Sequence, residues 1–130
     1  MSVAEDEYHT VWTGKTKPNA RQVYEGLSRY YDINYVDDLA EAESGWDMTT
    51  RFNRKALQFL PVDLNSLLYK YEKDFERYYE IIGNKNTAMA WRKTADHRRK
   101  NMNTLTRQPH RRFFYCVTFF VRTSRKCTGF

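Results

Sequence analysis

Cysteine is almost missing from this chain of 130 residues: only Cys116 and Cys127 occur, both within the last fifteen positions. Two such residues make no disulfide framework, and without histidines at ligand spacing they make no zinc site, so both are expected to be free thiols. Long apolar runs are also lacking. None approaches the roughly 20 residues that span a bilayer, so no membrane span is expected. The opening Met1-Ser2-Val3-Ala4-Glu5-Asp6-Glu7 is acidic and lacks the basic-then-apolar order of a secretory leader, which points to a cytoplasmic chain. No internal repeat is visible, and the length suits one ordinary domain.

What is present argues for a folded chain. Hydrophobic residues make up 41% and charged residues 29%, a balance that excludes a disordered polyelectrolyte. Aromatic residues reach 16%, with ten Tyr and eight Phe; that mix suits both protein interiors and sugar-binding clefts. The net charge of +6 suggests nucleic acid until its location is traced. Residues 1–104 hold 16 Lys/Arg and 16 Asp/Glu, which balance. The excess is Arg107, Arg111, Arg112, Arg122, Arg125 and Lys126, in a stretch without one acid. The basic character therefore belongs to a tail and not to the domain.

Residues 21–31 (RQVYEGLSRYY) alternate loosely and read as extended. Asp32-Ile33-Asn34 reads as a turn, and residues 35–44 as a short helix ended by Gly45. Residues 45–61 keep no period and read as a loop with short ordered pieces, a length that is uncommon unless functional. The strongest helix signal runs from Asp63 to about Ile82, where Leu64, Leu67, Leu68, Tyr71, Phe75, Tyr78 and Ile82 recur three and four apart. Asp63 is the expected cap and Gly83-Asn84 the stop. A second helix is expected from about Thr87 to Asn103, with Ala88, Trp91, Ala95 and Met102 on one side. Joined by a short loop, the two form an αα-hairpin. The fold class is mainly α.

Three segments carry a resemblance. Glu43-Ser44-Gly45-Trp46-Asp47-Met48-Thr49-Thr50-Arg51 resembles the trehalase signature E-S-G-W-D-x-[ST]-[ST]-R. Leu60-Pro61-Val62-Asp63-Leu64-Asn65-Ser66-Leu67-Leu68-Tyr69 is similar to the P-V-D-L-N-S-x-L-Y stretch that follows it in that family. Leu27-Ser28-Arg29-Tyr30-Tyr31-Asp32 resembles the family's L-[NS]-R-Y-[YF]-D. Three blocks in the family's order, within roughly residues 7–104, form a specific signal where any one would be weak.

The resemblance implies an inverting hydrolase of α,α-trehalose on an (α/α)6 toroid, of which residues 1–104 would form about one sector: an αα-hairpin with its active-site loop. In that family the aspartate of G-W-D is the general acid, which maps onto Asp47. Such a reaction needs a proton donor for the leaving sugar oxygen and a second carboxylate, roughly 6.5–9.5 Å away, to activate water on the opposite face. An acid beside Trp46 is expected to have its pKa raised by reduced solvation, as a proton donor near neutral pH requires. Trp46, Arg51 and Asn65 are the substrate-binding candidates. Each has a plainer alternative: core packing for Trp46, a structural ion pair for Arg51, and a local hydrogen bond for Asn65, as helix capping is for Asp63. No metal and no organic cofactor are implied.

Departures from the family define the other expectations. The R-P-E-S-Y stretch expected between the first two blocks is replaced by Ile33-Asn34-Tyr35-Val36-Asp37-Asp38, the mark of a divergent branch. The family's general base and an early substrate-binding segment have no counterpart here, so the chain is expected to lack the remainder of the catalytic domain and to be inactive alone. With neighbouring hairpins absent, Leu64, Leu68, Tyr71 and Phe75 are expected to be partly exposed and the chain poorly stable. Residues 105–130 form an anomalous irregular tail, read as a frameshift or a gene-model junction near Leu105. A sugar-binding or regulatory fragment without catalysis is the alternative. A small basic nucleic-acid module, with aromatics among arginines at 111–115, is the weaker one.

Overall fold

The computed structural model describes residues 3–14, 21–46 and 49–106. The chain is mainly helical. A five-residue helix α1 (Val3–Glu7) passes into a single π-turn at Tyr8–Trp12, closed by the Thr13 N–H on the Tyr8 carbonyl at 3.0 Å. Two short antiparallel strands follow, β1 (Gln22–Tyr24) and β2 (Leu27–Ser28). Their turn residues Glu25 and Gly26 both have positive φ, 44° and 78°, the type I′ geometry that matches strand twist. Helix α2 (Asp37–Glu43) precedes the long loop, which contains one 3-10 turn at Ala56–Gln58. Helices α3 (Val62–Ile81) and α4 (Lys85–Thr106) complete the described chain.

The αα-hairpin forms as its spacing predicts, and its connection is set by local chemistry. Gly83 has φ 80° and its N–H meets the Glu80 carbonyl, while the Asn84 N–H reaches back to Tyr79 at 2.9 Å. That pair of bonds is a Schellman stop, which needs a residue at ease in the left-handed region. Asn84 then starts the next helix, its Oδ1 accepting the Thr87 N–H at 3.2 Å. The expected cap at Asp63 is corrected: Pro61 occupies the N-cap position of α3. Asp63 lies inside the first turn, its carboxylate drawn to Arg51 instead.

The expectation of an exposed apolar stripe is also corrected. Leu64, Leu68 and Phe75 are buried, at 3%, 2% and 8% exposure; only Tyr71, at 38%, stays open. The cause is the N-terminal segment, whose covering role had no sequence signal. Tyr8 packs edge-on against Phe75 and Trp91, with centroids 6.0 and 5.1 Å away, and Phe75 and Trp91 meet at 4.7 Å. Each such pair adds about 0.5–1.5 kcal/mol beyond burial. Phe52, Ala56 and Leu57 of the long loop join the same cluster. A second cluster of Leu27, Leu60 and Leu105 seats the β-turn on the end of α4. Leu105 thus belongs to α4; residues 107–130, the rest of the anomalous tail, lie outside the described residues. Among the described residues no helix is long and apolar enough to cross a membrane.

Within this core sits a buried ion pair, Arg98 with Glu72. Arg98, on the face shared by Ala88, Trp91 and Ala95, is 1% exposed. Its Nε donates to Glu72 Oε1 at 2.7 Å, and one Nη donates to Asn65 Oδ1 at 2.8 Å. The Tyr8 hydroxyl donates to the same Glu72 oxygen at 2.5 Å. Burial first, and the Glu72 charge second, push the Tyr8 phenol well above its ordinary pKa, so it remains a donor. Removing one partner of a buried ion pair costs about 3–5 kcal/mol, because the other is left uncompensated. Glu72 Oε2 has no hydrogen-bond partner among the described residues, which leaves the pair short of full satisfaction. Arg98→Met should therefore cost stability on that scale in urea unfolding, and Arg98→Met combined with Glu72→Leu should recover most of it.

Candidate active site

The three resembling blocks meet at one carboxylate. Asp63, on the first turn of α3, accepts from both terminal nitrogens of Arg51, at 3.0 Å on Oδ2 and 2.6 Å on Oδ1. Trp46 Nε1 donates to Oδ2 at 3.2 Å, and so does the Tyr30 hydroxyl, also at 3.2 Å. Tyr30 comes from the first block, Trp46 and Arg51 from the second, and Asp63 from the third. The Arg51 guanidinium also lies 5.0 Å from the Trp46 ring centroid and 4.9 Å from that of Phe52, within cation–π range. Trp46, Arg51 and Asp63 therefore touch pairwise and form a closed triangle.

Local turns shape the loop around this triangle. Gly45 ends α2 with φ 72° and open space where a Cβ would lie, so it is the backbone conformation that requires glycine there. Ser44 Oγ donates to the Glu41 carbonyl and accepts the Trp46 N–H at 3.1 Å. Thr49 Oγ1 accepts the Arg51 N–H at 3.3 Å and donates to the buried Glu41 carboxylate at 3.4 Å. Glu43 is drawn off to the other side, paired with Arg21 and accepting the Tyr31 N–H at 2.8 Å. Further along, Asn53 and Arg54 both hold positive φ, 47° and 56°, a strained pair of the kind found beside functional loops.

Each candidate has a place. Asp47 and Met48 lie outside the described residues; Trp46 and Thr49 bracket them. Trp46 is 53% exposed, so packing in the core does not account for it. The Arg51 side chain is largely buried and bound to Asp63. Asn65 faces inward at 1% exposure. Its Oδ1 accepts the Ser28 N–H and an Arg98 nitrogen, while its Nδ2 donates to the Ser28 and Pro61 carbonyls, all at 2.8 Å. The amide is saturated within the fold. Tyr30 and Glu41 were missed as site residues; the block containing Tyr30 was itself the signal. Among the described residues no group of three or more His, Cys, Asp or Glu is arranged to hold a metal ion.

Electrostatics favour the Asp63 anion. Burial raises its pKa, but the hydrogen bonds and charge of Arg51, with the Leu64 N–H and the Trp46 indole, outweigh burial and hold it below the ordinary carboxylate range. Tyr30 moves the other way, raised first by burial and then by the Asp63 charge. A group whose folded pKa is depressed contributes its full stability above the unfolded value, about 3.9 for Asp. It loses that contribution as pH falls through the folded value. Asp63→Asn should lower the melting temperature at pH 7, and should show a smaller further loss than wild type between about pH 4 and pH 2. Thermal melts across that range check it.

The model of the trehalase family matches residues 5–115. The chain is 33% identical over 106 residues to a protein of Saccharomyces cerevisiae (strain ATCC 204508 / S288c) described as "Probable trehalase", an alignment covering 74% of this chain. The chain spans 13% of that relative's length. No solved structure matches. With the family model covering most of its length and the three blocks gathered at Asp63, the chain belongs to the trehalase family.

Proposed function

We propose that this chain supplies the acid-bearing part of a glycoside hydrolase that cleaves α,α-trehalose to glucose with inversion. The observation that carries the reading is the convergence of the family's three blocks on Asp63, which ties down the loop on both sides of Asp47. In the proposed reaction the Asp47 carboxyl gives its proton to the glycosidic oxygen as the bond to the anomeric carbon breaks. Water, stripped of a proton by a second carboxylate, attacks that carbon from the opposite face. The exposed indole of Trp46 offers a face for a sugar ring, and Arg51 holds that indole in place.

Among the nearby acids, Asp37 accepts the Leu57 N–H, Glu41 is buried against Thr49, and Glu43 is paired with Arg21. Each already has a local role, and none stands out as a base for water. The chain by itself is accordingly proposed to lack turnover, and its substrate is a glucoside by family rather than by an observed pocket. A sugar-binding or regulatory role that keeps the loop without catalysis is the second reading, favoured by the single described anchor carboxylate.

Purified chain should release no glucose from trehalose. Measurable release that disappears in Asp47→Asn would overturn the proposed inactivity while supporting the acid role. Trehalose binding by calorimetry, weakened in Trp46→Ala and without turnover, would favour the second reading. The acid-free stretch from Leu105 is proposed to be a frameshift or gene-model junction. Sequencing the coding DNA across codons 101–130 should then reveal another frame that continues with acidic, aromatic sequence. Salt-dependent oligonucleotide binding, lost on removing residues 105–130, would instead give that tail a function of its own.

A further inference from the structure

Asp63 grips the loop at two places that lie either side of residues 47–50. Trp46 hangs from it by the indole N–H at 3.2 Å, and Arg51 by a two-pronged bond at 3.0 and 2.6 Å. The third side of the triangle, Arg51 over the Trp46 ring at 5.0 Å, removes the remaining freedom of either side chain to swing. A bidentate guanidinium–carboxylate pair fixes direction as well as distance. The anchor itself stands on the first turn of a 20-residue helix, the most rigid kind of support a loop is given. The same helix turn is held from its other side by Asn65, whose amide is bonded to β2 and to Arg98.

We propose that Asp63 is a positioning residue: it sets the orientation of Trp46 and Arg51, on the long loop, relative to α3. The proposal rests on reading that loop as the acid-bearing one. A simpler role, a negative charge at a helix N-terminus, would be served as well by glutamate. Positioning would not, because one added methylene displaces the carboxylate while keeping its charge. The carboxamide of asparagine is neutral and presents one acceptor oxygen, so it cannot offer each Arg51 nitrogen its own oxygen as Asp63 does.

The test is nitrogen-15 relaxation of the Trp46 indole in the full 130-residue chain, its signal identified by its loss in Trp46→Phe. Wild type should give an order parameter near 0.85, and Asp63→Ala should bring it to about 0.6 or lower. Asp63→Glu should move the indole resonance and loosen the ring, with the thermal midpoint close to wild type. Throughout, the Ser28 amide, held by Asn65 Oδ1 at 2.8 Å, should stay protected from exchange and report an intact core. An indole equally ordered in wild type and Asp63→Ala overturns the proposal. So does loss of Ser28 protection together with indole order in Asp63→Glu, because that is a stability role. Titrating trehalose into the same sample keeps the two readings apart. An indole ordered by Asp63 but indifferent to trehalose leaves the positioning role standing and counts against the hydrolase reading.

Discussion

The buried guanidinium of Arg98 is the constraint on which the rest of this structure depends. A permanently charged group at 1% exposure is tolerated only where its donors find acceptors, since an isolated buried charge costs many kcal/mol. Arg98 finds them on three separate parts of the chain: Glu72 on α3, Asn65 at the start of α3, and the Tyr8 hydroxyl near the N-terminus at 3.4 Å. Each acceptor is in turn engaged elsewhere. Asn65 holds both backbone groups of Ser28, and Tyr8 is wedged against Phe75 and Trp91. The strand block, the terminal segment and the hairpin are thereby placed with reference to one side chain. Apolar packing alone would admit sliding of α3 against α4; the directional bonds of Arg98 select one register.

From that register the site follows by helical geometry. Asp63 and Asn65 are two residues apart on α3, about 200° around the helix axis at 3.6 residues per turn, so one faces the loop while the other faces the core. Asn65 fixes the turn from within, and Asp63 carries the result outward to Trp46 and Arg51. A loop with little regular structure of its own is thus given fixed points by charge-assisted bonds to a packed helix.

Much of this was legible in the sequence, in proportion to how local the physics was. The hairpin, the stop at Gly83-Asn84 and the short helix before Gly45 depend on periodicity and on neighbouring residues, and were read to within a few positions. Periodicity also pointed to the buried face of α4 through Ala88, Trp91 and Ala95. It passed over Arg98, because a cation between apolar positions looks like an interruption until its partner 26 residues away is known. The cover supplied by Tyr8 failed for the same reason: a five-residue helix and a π-turn have no period to detect, and the contact to Trp91 spans most of the chain. Asp63 was recognisable as part of a motif yet read as a cap, since capping is what a local rule offers for an aspartate at a helix start. Only the arrival of Arg51 and Trp46 from another block revealed a different use.

Exposure shows where that internal order stops. The solvent-facing side of α3 leaves Leu67 at 60%, Tyr78 at 51% and Ile82 at 54% exposed, next to Tyr71, while the opposite side is closed by the N-terminal segment. A helix with one apolar side satisfied and a second left open is the pattern of an element that sits between layers. On the closed side the Arg98 network pairs most of its polar groups internally, and the apolar groups are covered. On the open side the polar contact is an exposed Lys70–Asp74 ion pair, and such surface pairs contribute little to choosing the register. The positions that matter for the site, Asp63 and Asn65, both belong to the part of α3 whose surroundings this chain provides for itself.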